Sequence, residues 1–418
     1  MFVPDQRYDW LRDHRPIGNG QFCGSVSGSK NFPVIGDPDR DFRSGFLHLG
    51  PSHTRMAVMK LGLGLYCHQL DRDHFRFARQ CGCTHLVIHL VDYFRSARNR
   101  AGDQPVGDDS GWGLAGDPNQ LWTFEQLVNL RSAVEAEGLR LEAIENFDPA
   151  HWHDILLDGP KKKLQFENIK TIVRNVGKAG IPIIGYNFSI AGVAGRVKGP
   201  FARGGAASVG MDGPCDSPMP NGMAWNMIYN PHAPPGSVPS ATTDELWDRL
   251  REFLEMILPV AEEAGVTLAA HPDDPPLPVV RAQPRLIYRP HLYQRLLDAR
   301  PSPRNAIEFC VGTTAEMSED GVYDSLAGCA RQKKIAYVHL RNVRGKVPTY
   351  KETFIDDGDV DIAKALQILH ENNYTGVIIP DHAPQITCPA PWHAGMAFAL
   401  GYLRAGIQAL SLKTHITN

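Results

Sequence analysis

Cysteine is scarce. Eight cysteines are spread over 418 residues, too few for a disulfide scaffold. Cys81 and Cys83 stand one residue apart, a spacing that suits neither a zinc knuckle nor a redox pair. Long apolar runs are missing as well. No uninterrupted segment approaches the roughly 20 residues needed to cross a bilayer, so no membrane partner is expected. Neither sign of charge dominates: 43 Lys and Arg face 46 Asp and Glu, for a net charge of −3. That balance gives no electrostatic case for nucleic acid or an anionic surface as partner. Met1 to Arg15 is mixed in charge and has no apolar signal-peptide centre, so a cytoplasmic location is the default expectation. What remains is an ordinary globular composition, 43% hydrophobic and 21% charged, with enough apolar residues for a sizeable core. The length fits two ordinary domains, or one α/β barrel with insertions and an N-terminal extension.

Residues 1–55 are rich in Gly, Pro, Asp and Arg and show little periodicity. They read as an irregular extension ahead of a catalytic domain over 56–418. From Lys60 onward, short apolar runs of strand length alternate with amphipathic stretches of helix length, the pattern of βα units around a parallel sheet. The strand candidates are Leu61–Cys67, Thr84–Leu90, Leu139–Glu145, Pro182–Asn187, Val266–His271, Ala306–Cys310, Ile335–Leu340 and Thr375–Pro380. Helices are expected at Asp71–Gln80, Phe124–Glu137, Leu164–Ala179, Asp244–Ala264, Pro290–Leu297, Glu316–Arg331, Asp361–Asn372 and Trp392–Leu412. Gly138, Gly180 and Gly265 each follow a helix, where glycine caps the last turn in a left-handed conformation. Eight strands alternating with eight helices is the count of a closed (β/α)₈ TIM barrel. An open doubly wound sheet would need a glycine-rich phosphate turn after its first strand, and Gly62 and Gly64 lie inside that strand. Two long insertions, near Arg95–Gln120 and Ala191–Thr243, follow strands and so belong to the C-terminal face, where barrel active sites are built.

The ends of the last four strands carry the chemistry. Strand five ends at His271, strand six at Cys310, strand seven near His339, and strand eight runs into Asp381 and His382. In a barrel these ends converge on one mouth. Two imidazoles, a thiolate and a carboxylate arriving together make a four-ligand metal site, of a mixture suited to Mn²⁺, Fe²⁺, Co²⁺ or Zn²⁺ rather than Mg²⁺ or Ca²⁺. Each residue alone is a weak signal; their coincidence at successive strand ends is the strong one. After His271 comes Pro272-Asp273-Asp274-Pro275-Pro276, a loop whose prolines restrict the backbone and hold the carboxylates in place. Arg341 and Arg344 stand beside His339 as candidates to bind a carboxylate substrate bidentately. Glu145, at the end of strand three, is a candidate pocket residue. His151 and His153, which flank Trp152, are read as part of a loop over the mouth.

His-Pro-Asp-Asp-Pro-Pro at 271–276, Val-His-Leu-Arg-Asn-Val-Arg-Gly at 338–345 and Pro-Asp-His at 380–382 resemble the signatures of the mannonate dehydratase family. Tyr186-Asn187-Phe188 and Phe354-Ile355-Asp356-Asp357-Gly358 match as well, in order and spacing, over about residues 60 to 412. The resemblance implies a TIM barrel that binds Mn²⁺ or a similar ion and removes water from D-mannonate to give 2-keto-3-deoxy-D-gluconate. It places the metal ligands on His271, Cys310, His339 and Asp381, the four that the strand ends select. It places a catalytic residue on His382, and Asn187 and Asp273 join the substrate-binding candidates. A sugar acid and further copies of the chain are the expected partners.

Two local departures from the family pattern stand out. The family usually has Arg-Asp where this chain has Arg341-Asn342, which is expected to remove a carboxylate from the mouth. A family tyrosine beyond the Asp-His pair is absent from Ala390-Pro391-Trp392-His393, leaving His393 as the candidate proton donor. A metal-dependent isomerase or epimerase of the xylose-isomerase-like class is the alternative. Such sites usually lack a cysteine, so Cys310 favours the dehydratase. A barrel that only binds a sugar acid is a third reading, disfavoured by the retained ligands and His382.

Overall fold

The computed structural model describes residues 59–96, 104–106 and 110–416. The expected extension, 1–55, lies outside the described residues, as does part of the first insertion. Eight strands close a barrel: β1 Lys60–Leu65, β2 His85–Ile88, β3 Arg140–Glu145, β4 Ile183–Tyr186, β5 Thr267–Ala270, β6 Asn305–Cys310, β7 Ile335–His339 and β8 Val377–Ile379. Neighbours in sequence are neighbours in the barrel, every pair is parallel, and β1 meets β8 with Lys60 opposite Val377. Each strand overlaps an expected run; β1 and β6 begin one residue earlier than expected, and the others lie within their runs, trimmed at one or both ends. β2, β4, β6 and β8 are buried along their whole length, which is why they read as continuous apolar runs rather than as alternating ones.

The helices are α1 Arg72–Gln80, α2 Phe124–Ala136, α3 Pro149–Leu157, α4 Lys162–Lys178, α5 Thr243–Ala264, α6 Leu292–Ala299, α7 Val311–Glu316, α8 Val322–Arg331, α9 Ile362–Glu371 and α10 Pro391–Ile416. Gly138, Gly180 and Gly265 have φ of 73°, 74° and 73°, the left-handed exit that a β-carbon would strain. Two expectations change. The helix expected over Glu316–Arg331 begins only at Val322, as α8, and a separate short helix, α7, precedes it directly after β6. The stretch holding His151 and His153 is not a loop but α3, started by Asp148, whose carboxylate accepts from the Ala150 N–H, with Pro149 in the first turn. Both histidines and Trp152 are buried there. Trp152 packs against Phe147, Phe188 and Phe253 at centroid distances of 5.4, 5.9 and 5.9 Å.

The second insertion is built rather than loose. Arg196–Ala202 and Ala206–Asp212 form a hairpin around Gly204 and Gly205, whose φ values are 69° and 75°. Ala206–Asp212 then pairs with Thr349–Thr353, which pairs with Asn342–Lys346, giving a four-stranded antiparallel sheet beyond the C-terminal end of β7. Among the described residues no helix is long and apolar enough to cross a membrane.

Candidate active site

A cleft of about 510 Å³ opens where the barrel strands end and the insertions begin, lined by Glu145, Asn187, His271, His339, Asp381 and His382 among others. Its floor follows from strand pleating. Alternate residues share a face, so Glu308 and Cys310 on β6 point inward together, as do Tyr337 and His339 on β7. The ligand atoms of His271, Cys310 and His339 all lie within 4.8 Å of one another. Asp381 completes the group, with Oδ1 3.4 Å from His339 Nδ1 and Oδ2 3.8 Å from Cys310 Sγ. The four residues chosen from the strand ends are thus brought together.

The donor set fits a divalent first-row ion. Two ligands bound to one such ion at roughly 2.0–2.3 Å lie at most about 4.6 Å apart, close to the spread found here. Both ring nitrogens of His339 are buried, and neither makes a well-aligned hydrogen bond although carboxylate oxygens stand 3.2 to 3.4 Å away, an arrangement that leaves the ring open to a further ligand. Burial alone would raise the Cys310 thiol, but the charge of Arg341 and hydrogen bonds from His271 and His339 bring it down to about 6. It is therefore largely a thiolate at neutral pH, the form that binds metal. Burial works against a charge on His271, yet Glu308 and Cys310 lift it to about 9.

Behind His339 lie two carboxyls. Its Nε2 is 3.2 Å from Glu308 Oε1 and 3.4 Å from Glu145 Oε2. A metal-binding histidine usually gives its other N–H to such a group, which fixes the ring and its tautomer. The two carboxyls divide the charge between them. Burial and the neighbouring Glu145 push Glu308 up to about 8, while His89 and His339 overcome burial and hold Glu145 near 2. Tyr337 donates a short hydrogen bond to Glu308, and a β-carbon at Gly185 would strike both groups. Glycine in β4 makes room for an acid inside the barrel.

His382 sits at the cleft with its Nδ1 3.1 Å from Glu352 Oε1 and 3.1 Å from Arg341 Nη1. Glu352 comes from the four-stranded sheet, so that sheet orients a barrel residue. Gln104, from the first insertion, contacts both groups. Also lining the cleft, His89 Nδ1 lies 3.0 Å from the Tyr93 hydroxyl, and that hydroxyl accepts from Asn146 Nδ2 at 3.0 Å. Tyr66 stacks on His89, and Trp112 and Trp225 pack on Tyr93.

Other candidates lie elsewhere. Arg344 is on the surface, bound to Asp357 at 2.8 Å, because its position on the edge strand faces away from the cleft. Arg341 is fully buried and does not line the cleft; its guanidinium is taken up by Glu316 at 2.9 Å, Glu352 at 3.0 Å and Asp274 at 3.3 Å. Asp273 turns away, accepting from the Leu286 and Ile287 N–H groups and pairing with Arg285. Its neighbour Asp274 faces the cleft instead. His393 packs against His74 and Phe77 of α1, at 5.4 and 4.8 Å between ring centroids, outside the cleft lining. Asn187 does line the cleft, but its side chain is spent on the His271 and Pro272 carbonyls and on Trp225 Nε1. His89 ends a strand as His271 does, and Glu308 shares the inward face of Cys310, so both were within reach of the strand-end pattern. Arg196 and Glu352 come from segments without such a signal.

The family model of D-mannonate dehydratase (UxuA) matches residues 77–196 and 239–410. A mannonate dehydratase of Streptococcus equi subsp. zooepidemicus is 31% identical over 280 residues, 64% of this chain and 76% of that protein. One of Geobacillus thermodenitrificans is 30% identical over 292 residues, 64% and 77% of the two chains. The crystal structure of mannonate dehydratase from Streptococcus suis serotype 2 superposes with a TM-score of 0.64 at 25% identity, covering 84% of this chain and 94% of that one. With more than half its length matched by the family model, and with the barrel and ligand cluster in place, the chain belongs to the D-mannonate dehydratase family of hydro-lyases.

Proposed function

We propose that this chain converts D-mannonate, or a closely related aldonate, to the 2-keto-3-deoxy acid with release of water, using a divalent ion held by His271, Cys310, His339 and Asp381. The observation that carries the reading is the convergence of these four side chains with His382 beside them. A carboxylate mixed with nitrogen and sulfur donors suits Mn²⁺, Fe²⁺, Co²⁺ or Zn²⁺, and the family resemblance puts Mn²⁺ first among them. A bound ion would supply Lewis acidity, drawing charge from the substrate carboxylate and so acidifying the proton on C2.

The chain's own groups divide the remaining work. His382 removes the C2 proton, a task suited to imidazole near neutral pH. Glu352 and Arg341 hold its ring, while Glu308 and Glu145 hold that of His339. The departing C3 hydroxyl needs a proton of its own, and His393 is outside the cleft. The Tyr93 phenol is the donor we assign. Burial pushes it well above its usual range, so it keeps its proton, and His89 and Asn146 fix its hydroxyl. The aromatic wall keeps water from the developing enediolate. The test is to strip the protein of metal, add D-mannonate and Mn²⁺, and follow the 2-keto-3-deoxy acid. Metal-dependent product supports the reading. An epimerised aldonate, or no product across a panel of aldonates, overturns it.

A further inference from the structure

An acid substrate needs a cation, and the cleft is short of them. Among the described lining residues Arg196 is the one arginine or lysine. The two arginines nearest the motif are excluded by geometry, since Arg344 faces solvent and Arg341 is surrounded by protein carboxylates. Arg196 differs from both. Its side chain is 6% exposed, it pairs through Nη2 with Asp274, and its Nε is buried with no hydrogen-bond partner. A buried guanidinium donor without an acceptor, on the wall of a cleft, asks for an anionic ligand.

We propose that Arg196 recognises the carboxylate of the substrate and so makes the site selective for sugar acids over neutral sugars. The inference rests on the reading that the cleft takes an aldonate. The surroundings keep the guanidinium in place. Asp274 is also held by Arg341 Nη2 at 3.3 Å and Thr313 Oγ1 at 3.2 Å, so it is a fixed anchor for Arg196. The same Arg341 reaches His382 Nδ1 at 3.1 Å. Arg196 and His382 therefore flank one Arg341–Asp274 pair, and a carboxylate bound by Arg196 sets the adjacent C2 near the proposed base. Arg196 opens the insertion hairpin, so carboxylate recognition is supplied by the inserted sheet while the ligand cluster is supplied by the barrel.

The test compares wild type, Arg196→Met and Arg196→Gln on D-mannonate, with D-mannitol as a neutral competitor. Removing a charge-assisted contact should raise KM for D-mannonate by about 10- to 150-fold, with kcat changed far less and the inhibition constant of D-mannitol unchanged. Arg196→Gln keeps a donor for Asp274 and gives the answer if Arg196→Met does not fold. An unchanged KM in a folded variant, or equal losses for mannonate and mannitol, overturns the assignment. Wild-type protein inert on every aldonate would instead overturn the underlying reading of function. Active wild type with an indifferent Arg196 variant overturns this inference alone.

Discussion

Metal loading of this site is expected to be strongly pH-dependent, with a slope set by the protons that its ligands hold when metal-free. His271 sits at about 9 because Glu308 and Cys310 outweigh burial. At pH 7 the group is about 99% protonated, and displacing that proton lowers the apparent association constant about 100-fold. His339 is also raised well above its usual value, against burial, by Asp381, Glu145 and Glu308, so it releases a second proton. Cys310, at about 6, is already ionised at pH 7 and adds a third only below that. The sign follows: a cation must displace protons, so affinity rises with pH. His271 alone gives a gain of about 10-fold per unit between pH 7 and 8, His339 adds to it, and the slope is less above 9 and steeper below 6. Competition with a chelating dye at pH 6, 7, 8 and 9 gives the slope. Calorimetry in buffers of different ionisation enthalpy counts the protons independently, and about two should appear at pH 7. Binding that is flat from pH 6 to 8, with no proton release, would refute the reasoning and place the metal elsewhere.

Three further outcomes are expected. His382→Asn should lower kcat by about 10²- to 10⁴-fold with metal content unchanged; elemental analysis alongside steady-state kinetics decides it, and lost metal or full turnover removes His382 from its role. Arg341→Met strips a fully buried guanidinium from Glu316, Glu352 and Asp274. It should cost about 3–5 kcal/mol, read from denaturant melts, and lower kcat in whatever protein folds because His382 loses a partner. Trp152→Ala removes a fully buried indole from the Phe147, Phe188 and Phe253 cluster; a loss of about 3–5 kcal/mol is expected, with KM of the folded fraction unchanged.

The barrel was legible because its signals are local. Parallel strands buried on both faces need continuous apolar runs, and glycine at 138, 180 and 265 marks where helices hand over to them. The cluster proposed to hold the metal was legible for a related reason: a closed barrel turns sequence ends of strands into spatial neighbours, so bringing His271, Cys310, His339 and Asp381 together needed no long-range information beyond the fold. What failed to show was whatever depends on side-chain direction or on the insertions. Arg341 and Arg344 differ by three positions, yet one is sealed in the interior and the other faces solvent, because the chain enters an antiparallel strand between them. Asp273 and Asp274 are adjacent and point to opposite sides of one loop. No periodicity distinguishes such pairs. α3 is different, since Asp148-Pro149 is a helix start that the sequence does carry.

Position 342 shows how a departure from a family motif should be weighed. Asparagine in place of the family aspartate was expected to remove a carboxylate from the mouth. The side chain never faces the mouth. It is buried, its Nδ2 donates to the carbonyls of Ile355 and Val360 at 2.9 Å each, and its Oδ1 accepts from the Val343 and Val360 N–H groups at 3.0 Å. Two carbonyls here require donors, and an ionised carboxylate has none to give. The amide therefore answers a need of the turn over 354–360, which in turn holds the strand that follows Arg341 and, through its hairpin, Glu352. The substitution acts on the support of His382 rather than on the substrate. Of the two local departures from the family pattern, this one carries no information about specificity. The weight falls on the other, the missing tyrosine, and on the cleft residues that the insertions contribute.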